Sequence, residues 1–92
     1  MSDLDDSNLR NWRKRLIYRS WHRGTREMDL LLGSFADRHV QDFSGTELDL
    51  YEEMLNISDP DLYNWISGQE QVPANLMNPV LERLLAHRWV RV

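Results

Sequence analysis

The sequence predicts an all-α fold, a compact single-domain bundle of about five helices. Apolar residues recur at helical spacing along most of the chain, and no segment shows a convincing strand pattern. Residues that typically cap helices stand at the ends of the predicted segments. The 92 residues fit one small domain, and the chain contains no cysteine, so a hydrophobic core alone must stabilise the fold.

The first two predicted helices meet at Gly24, which suits the left-handed position just past a helix end. Ser7 is the expected N-cap of the first helix, and the second helix begins near Thr25. The second helix has the clearest periodicity, although Gly33 within it costs about 1 kcal/mol relative to alanine. Its apolar residues form one stripe: Met28, Leu31, Leu32, Phe35, Ala36 and Val40.

Capping motifs define the other three helices. Ser44 and Glu47 form a predicted capping box at the start of the third helix. Asp59-Pro60 combines an N-cap with a proline at the first position of the fourth helix, which ends at Gly68. Asn78-Pro79 gives the same signal for the fifth helix.

The predicted organisation has three parts: a flexible extension over residues 1–7, a helical domain over 8–88 and a fraying terminus over 89–92. The fifth helix could also begin earlier, near Pro73. Tyr63 and Trp65 of the fourth helix lie either in the core or in a secondary contact surface.

Charge is distributed unevenly along the chain. Seven of the eleven Lys and Arg residues lie between residues 10 and 26, whereas residues 27–70 carry eleven acids and one base, Arg38. The formal net charge of the whole chain is −4. Such asymmetry orients the encounter with a partner and does not determine the fold.

The residues that catalysis requires are missing, so the protein is not expected to be an enzyme. No cysteine nucleophile, nucleophile elbow, phosphate-binding loop or helical pair of metal ligands occurs in the sequence. Each histidine is expected on the surface: His22, His39 and His87. No apolar run approaches the roughly 20 residues of a membrane span, and the acidic first residues lack a signal-peptide pattern, so a cytoplasmic location is expected.

A basic and aromatic flank of the first helix is the first candidate for binding. On a helical wheel Arg10, Lys14, Tyr18 and Trp21 fall away from the apolar stripe. Such a flank could bind an acidic protein, phosphate or nucleic acid. Alternatively, Lys14 and Tyr18 form a surface pair and Trp21 closes the end of the bundle.

The segment Arg23-Gly24-Thr25-Arg26-Glu27 is the sharper candidate. An arginine after one helix and a carboxylate in the first turn of the next are both favoured by the helix dipoles. Gly24, which has no Cβ, lets another chain approach closely. Alternatively, Arg23 and Glu27 form a local ion pair that only stabilises the turn.

This Arg-Gly-x-x-Glu motif resembles the signature of the succinate dehydrogenase assembly factor 2 family, whose bacterial members are called SdhE. A second block, Asp59 to Ile66, is similar to the family's Asp-Pro-Asp-Leu-aromatic-x-Trp stretch. Between them, Phe35-Ala36-x-x-His39 matches a pattern typical of the group. The resemblance covers about residues 9 to 87.

The resemblance implies a chaperone-like function. Family members help attach FAD covalently to a histidine of the flavoprotein subunit of succinate dehydrogenase and, where present, of fumarate reductase. It implies that FAD is the client's cofactor, that this chain has none of its own, and that it contributes no reacting group. Arg23, Gly24 and Glu27 carry over as the partner-binding core, whereas Thr25 replaces a methionine common in the family. Secondary partner-binding residues are expected around them: Lys14, Tyr18, His22, Arg26 and Asp29.

The free protein is expected to be a monomer that inserts into no membrane and binds no nucleic acid. The alternative function is a small adaptor, or a nucleic-acid-binding protein, that uses the basic face of the first helix. The net charge of −4 and the acidic middle of the chain argue against nucleic acid, because they oppose docking on phosphates.

Overall fold

A computed structural model describes the backbone of residues 2–87 and the side chains of residues 7–87. Its five α-helices are α1 (Ser2–Trp21), α2 (Arg26–His39), α3 (Gly45–Leu55), α4 (Asp59–Ser67) and α5 (Pro79–Ala86). Single 3-10 turns, Val40–Asp42 and Ala74–Leu76, follow α2 and precede α5. The described residues contain no strand, and the predicted all-α bundle is confirmed.

The start of α1 differs from the prediction. The helix begins at Ser2, so Ser7 lies inside it and is not its N-cap. The segment before Ser7 is acidic, and acidic residues favour a helix N-terminus through the helix dipole. The extension expected over residues 1–7 is therefore helical from Ser2 onward, and Met1 lies outside the described residues. The terminus expected to fray over 89–92 also lies outside them.

Two of the predicted N-caps, Ser44 and Asn78, are confirmed, and α2 begins next to Thr25, as predicted. The Thr25 hydroxyl caps α2, and Ser44 and Glu47 form the capping box of α3. The Asn78 side chain accepts hydrogen bonds from the first amides of α5, so that helix does not begin near Pro73, where a 3-10 turn lies instead.

The cap of α4 is one residue earlier than predicted. Ser58, and not Asp59, accepts the hydrogen bond from the amide of Asp61. Asp59 and Pro60 are therefore the first two residues of the helix. This shift leaves the Asp59 carboxylate available to another part of the bundle.

The apolar stripe of α2 lies at the centre of the core. It packs against α1, and α3 packs against α5. The buried aromatic residues are Phe35, Phe43 and Tyr51. The Tyr51 hydroxyl lies 2.6 Å from the buried Ser20 hydroxyl, and burial raises the pKa of Tyr51 well above its ordinary value. Tyr63 and Trp65 are half-buried and pack against this core.

Gly33 has a packing role that periodicity did not reveal. The indole of Trp21 lies directly over it, so a Cβ at this position would overlap the ring. The indole Nε1 donates to Asp37 at 3.2 Å. Trp21 therefore packs α1 against the middle of α2.

Two of the three histidines are less exposed than expected. His39 and His87 are half-buried beside Phe35, with ring centroids 4.6 and 5.5 Å from that phenyl ring. Burial lowers the pKa of both imidazoles. The guanidinium groups of Arg83 and then Arg38 lower the pKa of His39 further, and His39 and then Arg38 lower that of His87. The phenyl rings of Phe35 and Phe43 lie against the His39 ring and cover part of it. Only His22 is exposed as predicted.

Candidate partner-binding site at the α1–α2 hinge

The turn between α1 and α2 depends on Gly24. Its φ of 118° lies in a region that favours glycine, as the sequence predicted. No atom lies within 4 Å of the position that a Cβ would occupy. Gly24 is exposed, so the backbone here is open to a partner.

Asp29 braces this turn from within α2. Its Oδ1 accepts hydrogen bonds from the backbone amides of Arg23 at 2.5 Å and Gly24 at 3.3 Å. The Thr25 hydroxyl accepts from the amide of Met28 at 3.3 Å. Asp29 was assigned to partner binding, but the structure uses its carboxylate to hold the hinge together.

Arg23 points away from the solvent and into the bundle. Its guanidinium nitrogens donate to Asp59 Oδ1 at 2.8 and 2.7 Å, and to the carbonyls of Leu55 at 2.6 Å and Ile57 at 2.9 Å. The side chain is only 10% exposed. Arg23 thus caps the end of α3 and binds the first residue of α4.

This placement changes the interpretation of the motif. Arg23 was expected to contact a client, yet its hydrogen bonds cross to residues more than thirty positions away. The two sequence blocks that carry the family resemblance, around Arg23 and around Asp59, therefore meet through one ion pair. Sequence reasoning identified both blocks, but spacing alone contained no signal that they are in contact.

The outer side of the hinge carries aromatic and basic groups. Tyr18 is 64% exposed and its ring stacks on His22, with centroids 3.9 Å apart and planes inclined by 17°. Lys14 lies one turn earlier, and Arg26 is exposed in the first turn of α2. We call this set the hinge surface: Lys14, Tyr18, His22, Gly24, Thr25 and Arg26.

Comparison with known proteins identifies the family of this chain. Residues 14–88 match the sequence model of a family described as flavinator of succinate dehydrogenase. The chain belongs to this family. The match includes the whole hinge surface and the Asp59 block, and it confirms the resemblance and the functional class that the sequence predicted.

Relatives of the flavinator family occur in bacteria and in mitochondria. The chain is 33% identical over 90 residues to the FAD assembly factor SdhE of Acetobacter pasteurianus, covering 98% of this chain and 83% of that protein. It is 38% identical over 81 residues to the mitochondrial succinate dehydrogenase assembly factor 2 of Dictyostelium discoideum, covering 88% of this chain and 57% of that protein. The Candida glabrata relative is 47% identical over 71 residues, covering 77% of this chain and 43% of that protein. The chain thus spans about half the length of the mitochondrial relatives and most of the bacterial one.

Glu27, the last residue of the flavinator motif, lies in the first turn of α2 and is half-buried. A carboxylate at this position is favoured by the positive end of the helix dipole. Its side chain interacts with other groups of the protein. Glu27 therefore belongs to the hinge but not to its most exposed part.

The outer side of the hinge is exposed. Its exposed groups are two cations, a stacked aromatic pair and bare backbone, which suit contact with another protein. Within residues 7–87 no three metal-ligating side chains come close enough to hold an ion. No helix in the described part of the chain has the length and apolar character of a membrane span.

Proposed function

We propose that this protein binds the flavoprotein subunit of succinate dehydrogenase through the hinge surface and promotes covalent attachment of FAD to that subunit. FAD is the client's cofactor in this proposal, and the protein contributes neither a cofactor nor a reacting group. The flavoprotein subunit of fumarate reductase is a second client where it is present. The free protein is a cytoplasmic monomer that exchanges an open surface for the client.

One observation carries the proposal: the hinge is braced from inside and open from outside. Arg23 and Asp29 brace the hinge through five hydrogen bonds and one further Arg23–Asp59 ion contact, and Gly24 presents its backbone to solvent. A surface that is already ordered loses little conformational entropy on docking. Bracing and exposure at the same turn therefore favour a recognition role.

Electrostatics supports the orientation of docking. Lys14 and Arg26 are exposed at the hinge, whereas residues 27–70 carry a large excess of acids. An acidic patch on the client would be attracted to the hinge and repelled by the acidic surface of residues 27–70. The Tyr18–His22 stack offers a flat face beside the cations.

The mechanism that follows is positioning. By binding one conformation of the client, the protein raises the population in which the flavin and the acceptor histidine are aligned. Alignment of reacting groups can lower a barrier by several kcal/mol without any added catalytic group. The protein must afterwards leave, so we expect moderate affinity.

The experiment measures covalent flavin by in-gel fluorescence of the denatured flavoprotein subunit. Cells lacking this protein are complemented with the wild type, Gly24→Arg or Gly68→Arg. Gly68 is a matched control because it is also exposed, has a φ of 84° and has no atom within 4 Å of its Cβ position. We expect wild type and Gly68→Arg to restore fluorescence and Gly24→Arg to fail, with circular dichroism spectra alike. Full fluorescence with Gly24→Arg would refute docking through the hinge.

Glu27→Ala tests the motif at a second residue. We expect it to lower the yield of covalent flavin with little loss of thermal stability. If its melting temperature instead falls by tens of degrees, Glu27 stabilises the fold and is not a binding residue. Full fluorescence in cells without the protein would exclude the flavinylation role itself in that organism.

A further inference from the structure

An apolar ledge lies on the connection between α4 and α5. Leu76 and Met77 are 43% and 40% exposed, and among the described residues only Tyr18 joins them as an exposed large hydrophobic side chain. Two such residues in succession on one connection form a patch larger than the isolated apolar groups of ordinary surfaces.

The ledge separates two open depressions with mostly apolar walls. On one side, a depression of about 190 Å³ is bounded by Leu76 and by apolar residues of α3, of the α3–α4 turn and of α5: Leu50, Met54, Ile57 and Leu81. On the other side, a depression of about 410 Å³ is bounded by Met77 and by Trp65, Gly68, Val72 and Leu85. We call Leu76, Met77 and these walls the ledge surface.

The charged groups that line the ledge surface are acidic. Glu53 lines the first depression and Glu70 lines the second. Residues 39–82, which supply all of the ledge surface but Leu85, include nine acids and no Lys or Arg. A ligand here meets apolar walls under a negative potential.

We propose that the ledge surface is a second docking site, which binds a basic amphipathic segment of a partner protein. Such a segment has apolar side chains at helical spacing for the two depressions and lysines or arginines on its flanks for Glu53 and Glu70. Anionic membranes and nucleic acids carry the wrong charge for this surface. The hinge surface is basic and therefore suits an acidic partner, unlike the ledge surface. The ledge proposal does not rest on the proposed flavinylation role.

Met77 suits this role chemically. A methionine side chain is unbranched and polarisable, so it adapts its shape to different apolar partners. Trp65 and Val72 beside it are half-buried and already packed on the core, so they form a firm wall. The ledge surface thus combines the adaptable side chain of Met77 with the firmly packed side chains of Trp65 and Val72.

The chain contains its own reporters for the experiment. Full-length protein is labelled with ¹³C at the methionine methyl groups and titrated with a helical leucine–lysine peptide whose leucines lie on one face. We expect the Met77 and Met54 methyl signals to shift together, because each lines one depression. The Met28 signal, buried beside the hinge, should not move. A peptide with glutamate in place of every lysine is the charge control and should not bind.

Variants test which residues hold the peptide. Glu53→Gln with Glu70→Gln should weaken binding by about three- to tenfold, whereas Asp49→Asn, an exposed acid of α3 that lines neither depression, should not. Gly68→Arg should also weaken binding, because it places a cation at the second depression. Gly24→Arg should leave binding unchanged, which separates this site from the hinge.

Three results would overturn the proposal. Equal binding of the glutamate peptide would show that charge does not select the ligand. A shift of Met28 alone would place the peptide elsewhere. Methionine shifts that depend on protein concentration without any peptide would identify a second copy of this chain as the occupant.

Discussion

Gly24 and Gly68 have similar backbone geometry but lie in turns that are held by different contacts. Each follows a helix, each has a positive φ (118° and 84°), and each is exposed with open space at its Cβ position. Gly68 ends α4, and its amide donates to the carbonyl of Trp65 at 3.3 Å. The backbone requirement alone therefore does not separate a recognition site from an ordinary helix end.

The bracing of the two turns differs. Behind Gly24, the nearly buried guanidinium of Arg23 joins three groups of the α3–α4 junction. Near Gly68, the Asn64 amide donates to the solvent-exposed Glu70 carboxylate at 2.9 Å, and the Glu70 backbone amide donates to the Asn64 carbonyl at 3.1 Å. Buried charged hydrogen bonds stabilise more than exposed ones, so the Gly24 turn is held far more firmly.

Removal of the bracing side chain gives the largest expected difference. Arg23→Ala leaves the Asp59 carboxylate and two carbonyls without their partner, so the free energy of unfolding should fall by about 3 kcal/mol. Asn64→Ala, the matched change near Gly68, should cost less than about 1 kcal/mol. Urea denaturation of both variants measures the two values. Equal losses would mean that the hydrogen bonds of Arg23 stabilise the fold no more than the exposed Asn64–Glu70 contact does.

The second brace of the hinge gives a smaller difference. Asp29→Asn keeps one oxygen for the amides of Arg23 and Gly24 but removes the negative charge, so we expect a loss of about 1 kcal/mol. Glu70→Gln keeps its exposed contact with Asn64 and should be close to neutral. Thermal melts followed by circular dichroism compare the two. A neutral Asp29→Asn would show that the charge has no part in bracing the hinge.

A change of backbone freedom should affect both turns and should cost more at Gly24. Gly24→Ala and Gly68→Ala each place a Cβ at a positive φ, which costs about 1–2 kcal/mol, and neither Cβ meets another atom. The φ of Gly24, 118°, lies farther from the left-handed region open to other residues than the φ of Gly68, 84°, so chemical denaturation should give the larger loss for Gly24→Ala. Equal losses would mean that the hinge backbone relaxes when the Cβ is added.

Sequence patterns predicted the helices better than they predicted the contacts between them. The stripe from Met28 to Val40, the Ser44 capping box and both positive-φ glycines depend on neighbours within one or two turns, and all were confirmed. The Arg23–Asp59 pair joins residues 36 positions apart, and no local rule specifies such a pair. The packing of Trp21 over Gly33 was missed for the same reason.

Acidification should have the smallest effect and should act far from both glycine turns. The pKa values of His39 and His87 are below the ordinary 6.5 in the folded protein, because burial disfavours the charged imidazoles. Above pH 6.5 the two imidazoles are neutral in both the folded and the unfolded protein, so their burial does not lower the free energy of unfolding. As the pH falls through 6.5 toward the lowered values, the unfolded chain takes up protons first, so the free energy of unfolding decreases.

Urea melts at roughly pH 7.5 and 5.5 measure this decrease in the free energy of unfolding. The pair His39→Gln and His87→Gln should flatten it, whereas His22→Gln, at the exposed histidine beside Gly24, should not. If His22→Gln flattens the profile instead, the pH dependence belongs to the hinge and not to the far end of α2.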